Sequence, residues 1–134
     1  MTTSFIATGF SRSESRERVV LFVEDDVLER GAVAHYLRDV GFKVIESATA
    51  REAVEVLNSQ IPIDVVFSDV WLPGGMNGLG LASWIMERYP EMPVLLTSGY
   101  LGFRVLDDGF IAKPFIYRDL EIRLRQLLGD PTLN

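Results

Sequence analysis

The sequence predicts an α/β domain in which a parallel sheet carries helices on both faces. Three observations lead there. Runs such as Val19-Val-Leu-Phe-Val23 and Val65-Val-Phe67 are apolar without alternation, as strands covered on both sides must be. Stretches of helical period separate these runs. Polar residues close several of them, and in an open parallel sheet the strand C-termini share the edge where ligands bind.

Residues 1–17 mix Ser, Thr, Arg and Glu with isolated Phe5, Ile6 and Phe10, the composition of a flexible tail. The first strand, Val19–Val23, ends in Glu24-Asp25-Asp26. Val33, Tyr36, Leu37 and Val40 then recur as one helical face, and Gly41 stops the helix. Lys43–Ser47 is a short strand. Thr49-Ala-Arg-Glu52 has the spacing of a capping box, with Ala50, Ala53, Val54 and Leu57 on the buried face behind it. The central strand Val65-Val-Phe-Ser-Asp69 follows and breaks at Pro73-Gly74-Gly75.

A third helix is marked by Leu79, Leu81, Ala82, Ile85 and Met86, and the next buried strand by Val94-Leu-Leu-Thr97. Between Tyr100 and Asp108 the pattern is weak and fits only a short helix or irregular loop. Asp108-Gly109 reads as a turn. Phe110-Ile-Ala112 is a brief last strand leading into Lys113-Pro114. Leu120, Leu124, Leu127 and Leu128 mark a closing helix. The domain spans 18–129, with 130–134 as a C-terminal tail.

With 134 residues, 48% of them hydrophobic, the chain makes one domain and one core. No apolar stretch approaches the roughly 20 residues of a membrane helix. There is no cysteine, which removes disulfide and thiolate chemistry and fits a cytoplasmic protein. The net charge of −6 and the lack of a basic stripe argue against nucleic-acid binding.

Four strand tips carry chemistry: Glu24-Asp25-Asp26, Asp69, Thr97 and Lys113. Acidic groups brought together repel one another unless a hard dication or an ammonium relieves them. Lys113 supplies the ammonium, and Mg²⁺ suits the rest. Such a site fits phosphoryl transfer onto a carboxylate, with Asp69 as the reactive group. Each residue also has a plainer use: Asp26 as a helix N-cap, Asp69 as a loop cap, Thr97 as a β-branched strand residue, Lys113 as a surface charge. Their joint order along the chain favours the site.

In that order the motifs Val-Glu24-Asp25-Asp26, Ser-Asp69-Val-Trp-Leu-Pro73, Leu-Leu-Thr97-Ser-Gly and Ala-Lys113-Pro114-Phe resemble the receiver domain of bacterial two-component response regulators. The likeness runs from about Arg18 to Leu128. It implies a flavodoxin-like, doubly wound, five-stranded parallel sheet in the order 2-1-3-4-5. It makes Asp69 the phosphoacceptor, and Glu24, Asp25, Asp69 and the backbone carbonyl of Trp71 the Mg²⁺ ligands, Glu24 acting through water. Thr97 becomes the switch hydroxyl, Lys113 the phosphate-binding lysine, and Phe110 the aromatic switch position. The Lys113–Pro114 peptide is expected to be cis.

The resemblance implies a histidine kinase or histidine phosphotransfer protein as donor, and a downstream protein controlled by a conformational switch rather than conventional catalysis. A weak homodimer is compatible with it. Leu-Pro-Gly-Gly-Met-Asn-Gly and Leu-Thr-Ser-Gly-Tyr are similar to receivers fused to hybrid histidine kinases, whereas this chain reads as a stand-alone receiver.

The departures are specific. Gly74-Gly75 lengthens the loop after Asp69. Only sixteen positions separate Thr97 from Lys113, so the fourth helix is expected to be shortened or irregular, which weakens the case for a standard output dimer. Phe110 has no hydroxyl, so a switch there works by packing. Trp71 is placed to shield an aspartyl phosphate from water, and Tyr117 and Ile122 point off the closing helix's core face.

Competing classes fare worse. A haloacid-dehalogenase-like phosphatase needs an acid two residues after its nucleophile, where Trp71 stands. A flavodoxin needs a phosphate cradle where Glu24-Asp25-Asp26 would repel one. An adapter independent of phosphorylation shares the fold, but has no need of the full acid set.

Overall fold

A computed structural model describes residues 16–99 and 109–130. The expected tail over most of 1–17, the weakly patterned stretch 100–108 with its shortened helix, and the chain after 130 lie outside the described residues. Within them the elements alternate as β1 (Val19–Val23), α1 (Val27–Asp39), β2 (Lys43–Ser47), α2 (Ala50–Asn58), β3 (Val65–Asp69), α3 (Gly78–Arg88), β4 (Val94–Ser98), β5 (Phe110–Ala112) and α4 (Tyr117–Leu127). All strand pairs are parallel, in the order β2-β1-β3-β4-β5. This is the flavodoxin-like sheet that the resemblance implied.

The unalternating strands divide their side chains between two cores. Val20 and Phe22 of β1, with Val65 and Phe67 of β3, face Val33, Ala34 and Leu37 of α1 and Leu120 and Leu124 of α4. Leu21, Val23 and Val66 face the other way, onto Ala50, Ala53 and Leu57 of α2 and Leu81 and Ile85 of α3. All five residues of β3 are buried, which is why that run shows no polar alternation. Phe22 and Phe67 stack with centroids 4.9 Å apart, and Phe115 meets Phe67 edge-on at 5.9 Å. Such ring pairs add about 0.5–1.5 kcal/mol beyond their buried area.

Local chemistry sets the helix ends. Asp26 caps α1, its carboxylate accepting from the amides of Leu28 and Glu29. Thr49 caps α2 by accepting from Glu52 N. Glu52 reaches back to Ala48 N at 2.8 Å, so the capping box closes on the residue before the cap. In α3, Leu81 and Ile85 carry the packing, whereas Met86 is exposed and Leu79 partly so. Tyr117 meets Tyr36 and Phe115, and Ile122 is half-buried, while Ile116 before the helix is exposed.

Candidate functional site

Parallel strands bring four chain segments to one edge. Glu24 follows β1, Asp69 ends β3, Thr97 lies near the end of β4 and Lys113 follows β5. Register fixes their spacing. Asp69 pairs with Thr97 across the β3–β4 ladder, and Lys113 N donates to Ser98 O at 3.0 Å. Glu24 N donates to Ser47 O, and Arg30 donates to Glu24 O at 2.8 Å, so the β1 tip is held from two sides.

At this edge the Lys113 ammonium meets three carboxylates. Nζ lies 3.1 Å from Asp69 Oδ2, 3.2 Å from Glu24 Oε1 and 2.9 Å from Glu29 Oε2. Glu24 is 2% exposed and Asp69 8%. The second Glu24 oxygen accepts from Asp26 N. The other Asp69 oxygen accepts from Trp71 N at 3.3 Å, which turns the chain sharply over the carboxylate. Gly78, which opens α3, packs so tightly under this turn that a Cβ there would collide with the Asp69 carbonyl oxygen and come within 2.8 Å of Val70 Cα.

The electrostatics follow from burial. Loss of solvent pushes the Glu24 carboxyl up to about 7, against the opposing pull of the Asp26 amide and of Lys113. Burial alone would lower Lys113, but the bonds to Glu29 and Asp69 outweigh it and raise its pKa above the ordinary lysine value. Oxygens of Glu24, Asp25 and Asp69 lie within 4.8 Å of one another. Hard carboxylate donors at that spacing, one of them short of neutralising charge, fit a small hard dication such as Mg²⁺.

Thr97 adds an independent signal. It is 1% exposed, and its buried Oγ1 has no hydrogen-bond partner among the described residues. A buried unpaired hydroxyl costs free energy, and its position on the strand next to Asp69 suits an acceptor that arrives only in another state.

The sequence-selected residues Glu24, Asp25, Asp69, Thr97 and Lys113 therefore converge. Asp26 takes the plainer part of helix cap. Trp71 is half exposed beside Asp69, and its side chain leaves the core. Phe110 lies within β5, and Arg123 donates to its carbonyl at 2.6 Å. The Lys113–Pro114 peptide is cis, as expected. The reading of the sequence missed Glu29. Its only signal was a place in the first turn after the acidic run, three residues beyond the Asp26 cap.

Fold and site together define a class: a doubly wound α/β domain with a lysine-bridged acidic pocket at the C-terminal edge of its sheet. The response regulator receiver domain family matches residues 20–125, and the chain belongs to that family. Its relatives point the same way. An NtrX-like protein of Rickettsia felis is 39% identical over 115 residues, covering 80% of this chain and 24% of that protein, so the chain spans about a quarter of that relative's length. A response regulator receiver protein of Sinorhizobium medicae superposes with a TM-score of 0.77 at 27% identity, over 85% of this chain and 96% of that one. The receiver domain of the hybrid histidine kinase CckA gives 0.70 at 33% identity, over 82% and 98%. Membership implies two-component phosphoacceptor signalling, which in this family is generally the work of a non-enzymatic module. Among the described residues no helix is long and apolar enough to cross a membrane.

Proposed function

We propose that the chain accepts a phosphoryl group on Asp69 in a Mg²⁺-dependent reaction and uses the modified state to control a partner protein. The observation that carries this reading is the meeting of Lys113 with Glu24 and Asp69 within 3.2 Å, beside the buried hydroxyl of Thr97, which has no partner among the described residues.

The donor is a phosphohistidine of a histidine kinase or histidine phosphotransfer protein. An Asp69 carboxylate oxygen attacks phosphorus, a P–O bond forms, the P–N bond breaks, and the imidazole leaves with its electron pair and takes up a proton. The Trp71 amide orients the carboxylate through Asp69 Oδ1. The Lys113 ammonium gives up one of its carboxylate contacts to the transferred group, where it offsets charge on the equatorial oxygens. The Thr97 hydroxyl then gains the acceptor that it lacks at rest. A divalent cation held by the carboxylates of Glu24, Asp25 and Asp69 and the Trp71 carbonyl supplies further neutralisation of phosphoryl charge when bound. Phe110 responds by repacking. The acidic balance of the chain favours protein partners over nucleic acid, and its lack of cysteine fits a cytoplasmic setting.

The test is phosphate incorporation from acetyl phosphate or phosphoramidate, by intact mass, for the natural chain and Asp69→Ala with and without Mg²⁺. An added phosphoryl mass that needs Mg²⁺ and disappears in Asp69→Ala is the expected result. A chain that takes no label, and whose fold does not respond to beryllofluoride, refutes the reading.

A further inference from the structure

An ammonium has three N–H donors and no acceptor. In Lys113 all three are committed, to Glu24 at the β1 tip, Asp69 at the β3 tip and Glu29 in the first turn of α1. The Glu29 contact is the shortest at 2.9 Å, and its carboxylate is also the most accessible of the three, with 36% side-chain exposure against 3% for Glu24 and 12% for Asp69. Its position is built. Asp26 caps the helix through Leu28 N and Glu29 N, which fixes the turn from which Glu29 reaches Lys113. A negative charge in the first helical turn is also favoured by the backbone dipole.

This geometry has a consequence for any group arriving at Asp69. A phosphoryl oxygen can receive a hydrogen bond from Lys113 only if one of the three carboxylates gives it up. Glu24 is enclosed and keeps its second oxygen on Asp26 N. Glu29 is the acceptor that water can solvate. Until it lets go, it competes for the ammonium and sets a negative charge at the mouth of the pocket.

We propose that Glu29 is a positioning residue that holds Lys113 at the rim of the site and brakes phosphoryl uptake in proportion to the negative charge of the donor. The inference rests on the reading that Asp69 is phosphorylated. It adds a determinant that acts through Lys113 without touching the reacting atoms.

The test compares two small donors at pH 7, acetyl phosphate as a dianion and phosphoramidate with a net charge of one. Two charges facing one across roughly 8 Å of water-like dielectric give about a fivefold effect, and a single charge about a twofold effect. Glu29→Gln should therefore speed Mg²⁺-dependent labelling about fivefold with acetyl phosphate and about twofold with phosphoramidate. Both gains should shrink towards one near 1 M salt, where screening is nearly complete. Glu29→Asp keeps the charge and should keep the natural ratio between donors. Glu55→Gln, an exposed carboxylate on α2, removes the same net charge and should leave the ratio unchanged.

Equal acceleration with both donors, slower labelling, or a gain that survives 1 M salt would each assign Glu29 a merely structural part and overturn the proposal. Labelling of the natural chain on Asp69 with an unaltered donor ratio in Glu29→Gln sinks this inference alone. Absence of any label in the natural chain removes both.

Discussion

Thr97→Val should make the resting protein more stable while weakening its response to a phosphoryl mimic. The two side chains are nearly isosteric, and the substitution removes the buried hydroxyl of a residue 1% exposed, which has no partner among the described residues. An unsatisfied buried polar group costs about 1–3 kcal/mol. Taking about 1.5 kcal/mol and a urea slope of about 2 kcal/mol/M for a domain of this size, the midpoint should rise by about 0.7 M. Mg²⁺ with beryllofluoride should behave oppositely. In the natural chain the hydroxyl should gain an acceptor from the mimic, and loss of that bond should weaken mimic binding about tenfold, or about 1.4 kcal/mol. Urea unfolding of both chains, with and without the mimic, measures the two effects in one series. A Thr97→Val chain less stable than the natural one at rest would mean that the hydroxyl already has a partner there, and the account of Thr97 would fall.

Two further outcomes follow from the same geometry. Because burial holds Glu24 near 7, above its unfolded value of about 4.5, the metal-free fold binds this proton more tightly than the unfolded chain does. Its contribution favours the fold below about pH 4.5 and is lost as the pH rises through about 7, and a dication must displace the proton to bind. Apparent Mg²⁺ affinity should therefore fall about tenfold from pH 8 to pH 6, by calorimetric titration, and Glu24→Gln should abolish that dependence. We propose that Trp71, 53% exposed and two residues after Asp69, shields an acyl phosphate from water. Trp71→Ser should shorten the half-life of phosphate label on Asp69 several-fold, and an unchanged half-life would refute shielding.

Most of the architecture was legible because burial on two faces leaves a plain mark. The run Val65-Val-Phe67 could not be a surface strand, and from it followed the central position of Asp69. The cis peptide before Pro114 and the order 2-1-3-4-5 came through likeness to a family rather than through periodicity. What stayed hidden depends on contacts between distant segments. Glu29 reaches Lys113 across 84 positions, a distance that no local pattern encodes. The ties of Tyr36 to Glu121, and of Arg125 to the carbonyl of Val40 at the end of α1, each reach α4 over 85 positions. Met86 shows the converse limit. Helical period marked the helix correctly, but a single apolar residue can sit on its wet side without cost to the fold.

Asp69 and Lys113 meet at 3.1 Å from very unequal foundations. The aspartate stands on β3, wholly buried and paired on both sides, the kind of strand whose amides exchange by the largest openings. The lysine leaves β5, three residues at the margin of the sheet, with a strand neighbour on one side only among the described residues. Such margins open locally at much lower free energy. Of the two partners, then, the cation stands on the less protected strand, and the pocket joins a central floor to a marginal wall.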